Sequence, residues 1–98
     1  MSPLPVTVTA RARADLDQIH DWYRAIRPEL AQRFDDAVDV VMAAIAERPD
    51  SFPEVEDGVR RALCRTFPYK IYFVVNAEEV RVQAVYHVSR DPQKWDLR

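Results

Sequence analysis

The order of patterned segments in this 98-residue chain predicts an α+β domain. A short N-terminal strand and an α-helical hairpin come first, then a three-stranded antiparallel meander. Together the strands form one mostly antiparallel sheet with the helices packed on one face. Three observations carry this. Apolar residues recur every three or four places through residues 10–47, β-branched and aromatic runs dominate from residue 59, and prolines punctuate the boundaries.

Val6-Thr7-Val8-Thr9 alternates and is β-branched, which reads as a strand, and Pro3 and Pro5 favour an edge position. Thr9 is placed to cap the helix predicted over Ala10 to Ile26, whose Leu16, Ile19, Tyr23 and Ile26 share one face. Arg27-Pro28-Glu29 breaks that helix, and Pro28 suits the first turn of a second one. The second helix runs to about Glu47 with an apolar stripe of Leu30, Phe34, Ala37, Val38, Val41, Ala44 and Ile45, and Pro49 ends it. So short a link makes the two helices an antiparallel hairpin.

Residues 49–58 read as an acidic loop carrying Phe52-Pro53. Strands are predicted over Val59–Thr66, Tyr69–Asn76 and Val80–His87. The middle one is almost continuously apolar, as a central strand is. Alternation in the last one places Val80, Val82, Ala84 and Tyr86 on one side and Arg81, Gln83, Val85 and His87 on the other.

A chain of this length makes one domain, residues 1–98. Its single glycine leaves no Gly-rich phosphate cradle, so mononucleotide and dinucleotide sites of that type are excluded. One cysteine, Cys64, allows no internal disulfide and fits a reducing cytoplasm. No apolar run is long enough to span a membrane, and the N-terminus lacks a signal-peptide pattern. The net charge of −2 hides a division: residues 1–57 carry six arginines against twelve carboxylates, and residues 58–98 carry eight Lys and Arg against four. The chain therefore joins an acidic half to a basic half, which favours a local basic face over a protein that binds nucleic acid along its whole length.

Chemistry has few places to reside. Cys64 with His87 is a conceivable nucleophile–base pair, but a mid-strand cysteine reads as core. Asp17, His20 and Asp21 lie within one helical turn, as do Asp35, Asp36 and Asp39, and both sets read as solvated acidic faces rather than metal ligands. What remains is a basic set at strand ends: Arg60, Arg61, Arg65, Lys70, His87, Arg90 and Lys94. Arginine forks suit phosphate and carboxylate, and histidine serves as acid or base near neutrality. Such a set suits metal-free RNA cleavage or an acidic protein surface equally. Trp95 is either a staple of the C-terminus onto the sheet or an anchor for a partner.

The chain resembles the RelE/ParE superfamily of toxins from type II toxin–antitoxin systems over nearly its whole length. The residues that carry the likeness are Ala14-Asp15-Leu16, Ile19 and Tyr23, then Arg33-Phe34, then Pro49 with Phe52-Pro53. They continue with Arg60-Arg61, Phe67-Pro68-Tyr69-Lys70-Ile71-Tyr72 and His87, Arg90-Asp91-Pro92, Trp95 and Arg98. The ending is similar to that of the ParE-like, plasmid-stabilisation branch, with Ser89 where that branch has an arginine.

The resemblance implies a toxin neutralised by a small antitoxin whose acidic C-terminal segment wraps it, with Leu16, Ile19, Trp22, Tyr23 and Phe34 in the antitoxin-binding groove. It implies DNA gyrase as target, met through Arg60, Arg61, Arg65, His87, Arg90 and Trp95, with no enzymatic step and no cofactor. The alternative it leaves open is a RelE-type, ribosome-dependent, metal-independent endoribonuclease using Arg60, Arg61, His87 and Arg90.

Overall fold

Thr9 starts the first helix as its side chain predicts. Its Oγ1 accepts the Ala12 N–H at 3.1 Å and also lies 3.3 Å from the Gln83 carbonyl, so the cap ties the helix to the last strand. The structure, a computed structural model, describes residues 3–90. In chain order it contains β1 (Val6–Val8), α1 (Ala10–Ile26), α2 (Pro28–Glu47), a single 3-10 turn (Pro49–Ser51), β2 (Glu54–Glu56), β3 (Val59–Leu63), β4 (Tyr69–Val75) and β5 (Val80–His87). The sheet order is β1-β5-β4-β3-β2, with β1 parallel to β5 and every other pairing antiparallel. This is the predicted α+β hairpin-on-sheet arrangement, with Arg27 serving as C-cap of α1 and N-cap of α2, and Pro28 in the first turn of α2.

Two details correct the sequence reading. The acidic loop contains a fifth strand: β2 pairs with β3 through Glu54–Arg60 and Glu56–Val59. The turn is Asp57-Gly58, a dipeptide that favours hairpins because it tolerates positive φ. Here only Gly58 is positive, at +75°, while no other residue among those described is. Nothing stands within 4 Å of a Cβ added at Gly58, so backbone strain alone sets the effect of Gly58→Ala. The expected cost is about 1–2 kcal/mol, read as a lower urea midpoint with an unchanged slope.

The second correction concerns β5. Tyr72 pairs with Ala84 and its neighbour Phe73 with Val82, which leaves Gln83 as an extra residue. This bulge reverses the alternation. Val80 and Val82 face the helices, but Ala84 and Tyr86 face the opposite side, and Val85 returns to the helix side. The single-face set Val80, Val82, Ala84, Tyr86 therefore divides into two. The shift also carries His87 to the helix side, opposite Tyr69.

The main core lies between the hairpin and the sheet, with Phe34, Ile45, Ile71, Phe73, Val80 and Val82 at its centre. Beyond Val8, the chain leaves β5 to enter α1, and Asp15 takes over as edge partner. Its Oδ2 accepts the Val85 N–H at 3.0 Å. No helix among the described residues is long and apolar enough to cross a membrane.

Candidate functional site

Arg60 and Arg61 are adjacent in an extended strand, so they must point to opposite faces. Arg60 lies on the helix side, where its guanidinium donates to the Phe52 carbonyl at 2.6 Å. Arg61 lies on the other face opposite Tyr72, with its Nε buried and without a hydrogen-bond partner. On that face Tyr72 and Tyr86 pack with ring centroids 5.8 Å apart. Cations cover them: the Arg90 guanidinium is 4.1 Å from the Tyr86 centroid, that of Arg11 is 5.3 Å away, and Lys70 Nζ is 5.9 Å from the Tyr72 centroid. Such stacking holds positive charge against aromatic faces. Lys70 is buried yet satisfied, because Nζ donates to the Arg90 carbonyl at 2.8 Å.

His87 stands elsewhere. Its ring meets Tyr69 edge-on at 5.6 Å. Its Nδ1 accepts the Ser89 N–H at 3.1 Å and lies 2.8 Å from Ser89 Oγ. An Nδ1 that accepts an amide proton places the neutral ring's own proton on Nε2. Arg65 is exposed in the turn between β3 and β4, and Trp95 and Lys94 lie outside the described residues. The predicted basic set is thus divided among the helix side, the opposite face of the sheet and the β3–β4 turn.

Cys64 is buried in the core, and that burial pushes its thiol up, against smaller opposing effects of backbone hydrogen bonds at Phe67 and Thr66. Tyr69 lies between Cys64 and His87 in the sheet, accepting the Cys64 N–H through its carbonyl and pairing with His87, so the two do not form a catalytic pair. His20 instead reaches across the hairpin, its Nδ1 3.0 Å from Asp35 Oδ1.

Tyr69 belongs to an aromatic group with Tyr23, Phe34 and Phe67. Burial first, and then the Tyr23 hydroxyl, push its phenol up to about 12 from 10.0. The folded protein keeps this proton where the unfolded chain loses it. The associated stability is present below pH 10.0 and is lost as pH rises toward about 12. Ultraviolet titration of the native protein is expected to show a late-ionising tyrosine that Tyr69→Phe removes.

The helical candidates also divide. Leu16 and Phe34 are buried in the core, Ile19 and Tyr23 pack against it, and Trp22 is 59% exposed. Trp22 lies edge-on to Tyr23 with centroids 5.0 Å apart. Ile26, which the sequence placed on the core-facing side, is exposed at the end of α1. The sequence reading missed Val40, which is exposed on α2 and falls outside that helix's apolar stripe.

Comparison with known proteins gives two findings. A family described as "ParE toxin of type II toxin-antitoxin system, parDE" matches residues 6–92. A solved structure, "Chromosomal ParDE TA system from P. aeruginosa", is similar at 26% identity and a TM-score of 0.74, covering 86% of this chain and 95% of the other. Among curated proteins nothing matches.

Proposed function

Because this chain belongs to the ParE toxins of type II toxin–antitoxin systems, we propose that it halts growth by binding DNA gyrase as a protein ligand, and that a cognate antitoxin neutralises it. The similar structure from P. aeruginosa is described as a toxin–antitoxin system, which supports an antitoxin partner here. The observation that carries the non-enzymatic reading is the division of the basic set. An acid–base cleavage needs its groups within hydrogen-bond reach of one reacting centre. Arg60 is held by Phe52 on the helix side, His87 sits by Tyr69 and Ser89 at the strand end, and Arg61 and Arg90 occupy the other face.

The same geometry suits recognition. Arg61 and Arg90, neither of them buried, lie beside the buried Tyr72–Tyr86 pair, and guanidinium forks of this kind suit a partner's carboxylates. Expression of the chain alone is expected to arrest growth while translating mRNA stays uncut by primer extension. Codon-position cuts that vanish with Arg61→Ala or His87→Ala would overturn this reading in favour of the ribosome-dependent endonuclease.

A further inference from the structure

The helices cover only one face of the sheet. Residues from both of them, with Phe52 and Phe67, pack into the core on that side. The opposite face carries a second cluster, Val59, Tyr72, Val74, Ala84 and Tyr86, drawn wholly from the strands. This face is nevertheless closed to water. Tyr72 and Tyr86 are each 3% exposed, and Lys70 beside them is 6% exposed. Tyr86 Oη and Arg61 Nε are buried there without a hydrogen-bond partner, where an open face would give them water. Side chains that stand on one sheet face shield each other's flanks, not their outer ends. Arg11 and Arg90 reach over the Tyr86 ring, but among the described residues no apolar side chain from outside the sheet packs on the cluster.

The chain itself leads to this face. Arg90, the last described residue, holds its guanidinium 4.1 Å from the Tyr86 centroid, and its carbonyl accepts from Lys70 Nζ at 2.8 Å. The next residue therefore starts beside Lys70, on the side away from the helices. Extended, residues 91–98 reach about 26 Å, whereas crossing from β4 to β2 takes about 10 Å. The N-terminal end cannot serve, because the Leu4 N–H donates to the Ala46 carbonyl at 3.1 Å and Leu4 packs on the helix-side core. Trp95 and Leu97 are two residues apart, so an extended segment puts both on one side and Lys94, Asp96 and Arg98 on the other.

We propose that residues 91–98 cross this face in an extended conformation and close it, with Trp95 and Leu97 laid on Tyr72 and Tyr86. A tryptophan brings a large apolar area and packs well against tyrosine rings. This seat holds whatever the target is. It moves Trp95 from the target-facing set into a second core and leaves Lys94 and Arg98 pointing outward.

The test uses the full chain. Trp22→Phe, at an exposed position, leaves Trp95 as the one tryptophan. Its native fluorescence is expected to be shifted to the blue, and acrylamide to quench it several-fold less than in the urea-unfolded chain. Acylation of Lys70 in the otherwise unaltered chain is expected to be slow. Trp95→Ala is expected to speed it by about tenfold or more, with Lys94, the other lysine, as internal reference. A Trp95 quenched as readily in the native protein as in urea, or a Lys70 rate that Trp95→Ala leaves unchanged, overturns the cover. Shielding of Trp95 that fades on dilution would assign the face to a second copy and overturn it as well. If circular dichroism shows that Trp95→Ala does not fold, the quenching of Trp95 decides alone.

Discussion

Replacing Phe34 with alanine is expected to lower stability by about 3–5 kcal/mol. Phe34 is 1% exposed and sits where the hairpin meets the sheet. Its ring lies 5.7 Å from Tyr23, 5.5 Å from Phe67 and 5.6 Å from Tyr69, measured between centroids. Removing it takes away both the transfer energy of the ring and the support of three aromatic neighbours. Domains of this size have about 5–15 kcal/mol in all, so the loss is a large share. Urea denaturation followed by circular dichroism measures it. The same variant frees Tyr69 from packing, so the late tyrosine ionisation is expected to move toward its ordinary value. A loss below about 1 kcal/mol would mean that the aromatic group is not the junction of the two layers.

Asp15→Ala is expected to cost about 1–3 kcal/mol, although Asp15 is not a core residue. Its carboxylate accepts the Val85 N–H at 3.0 Å where β1 has already departed. Alanine leaves that amide without its acceptor beside the bulge at Gln83. Asp15→Asn keeps an acceptor and is expected to recover most of the loss. Native-state hydrogen exchange supplies the local readout, with the Val85 amide accelerated in Asp15→Ala beyond its neighbours. Equal stability of the alanine and wild-type proteins would contradict the edge-partner role.

Much of the fold was legible because local signals agreed with the tertiary result. Thr9, Pro28 and Pro49 sit where capping and proline chemistry put them, and the apolar stripes of both helices meet the sheet. The strand β2 escaped notice because Glu54-Val55-Glu56 is short and acidic, although Asp57-Gly58 announced its hairpin. The bulge at Gln83 was hidden by Ala84-Val85-Tyr86, where every residue is apolar and the change of phase leaves no mark. For the candidate site, the period of two already separated Arg60 from Arg61, while the position of His87 depended on the bulge. Val40 was visible as an apolar residue off its stripe.

The most direct measurement is a gyrase cleavage assay with the purified protein, plasmid DNA and ATP, stopped with detergent and protease. Cleaved DNA is expected to accumulate with added protein, to fall with Arg61→Glu and to disappear when the antitoxin is present. Intact, normally supercoiled DNA at protein concentrations that arrest growth would contradict the account.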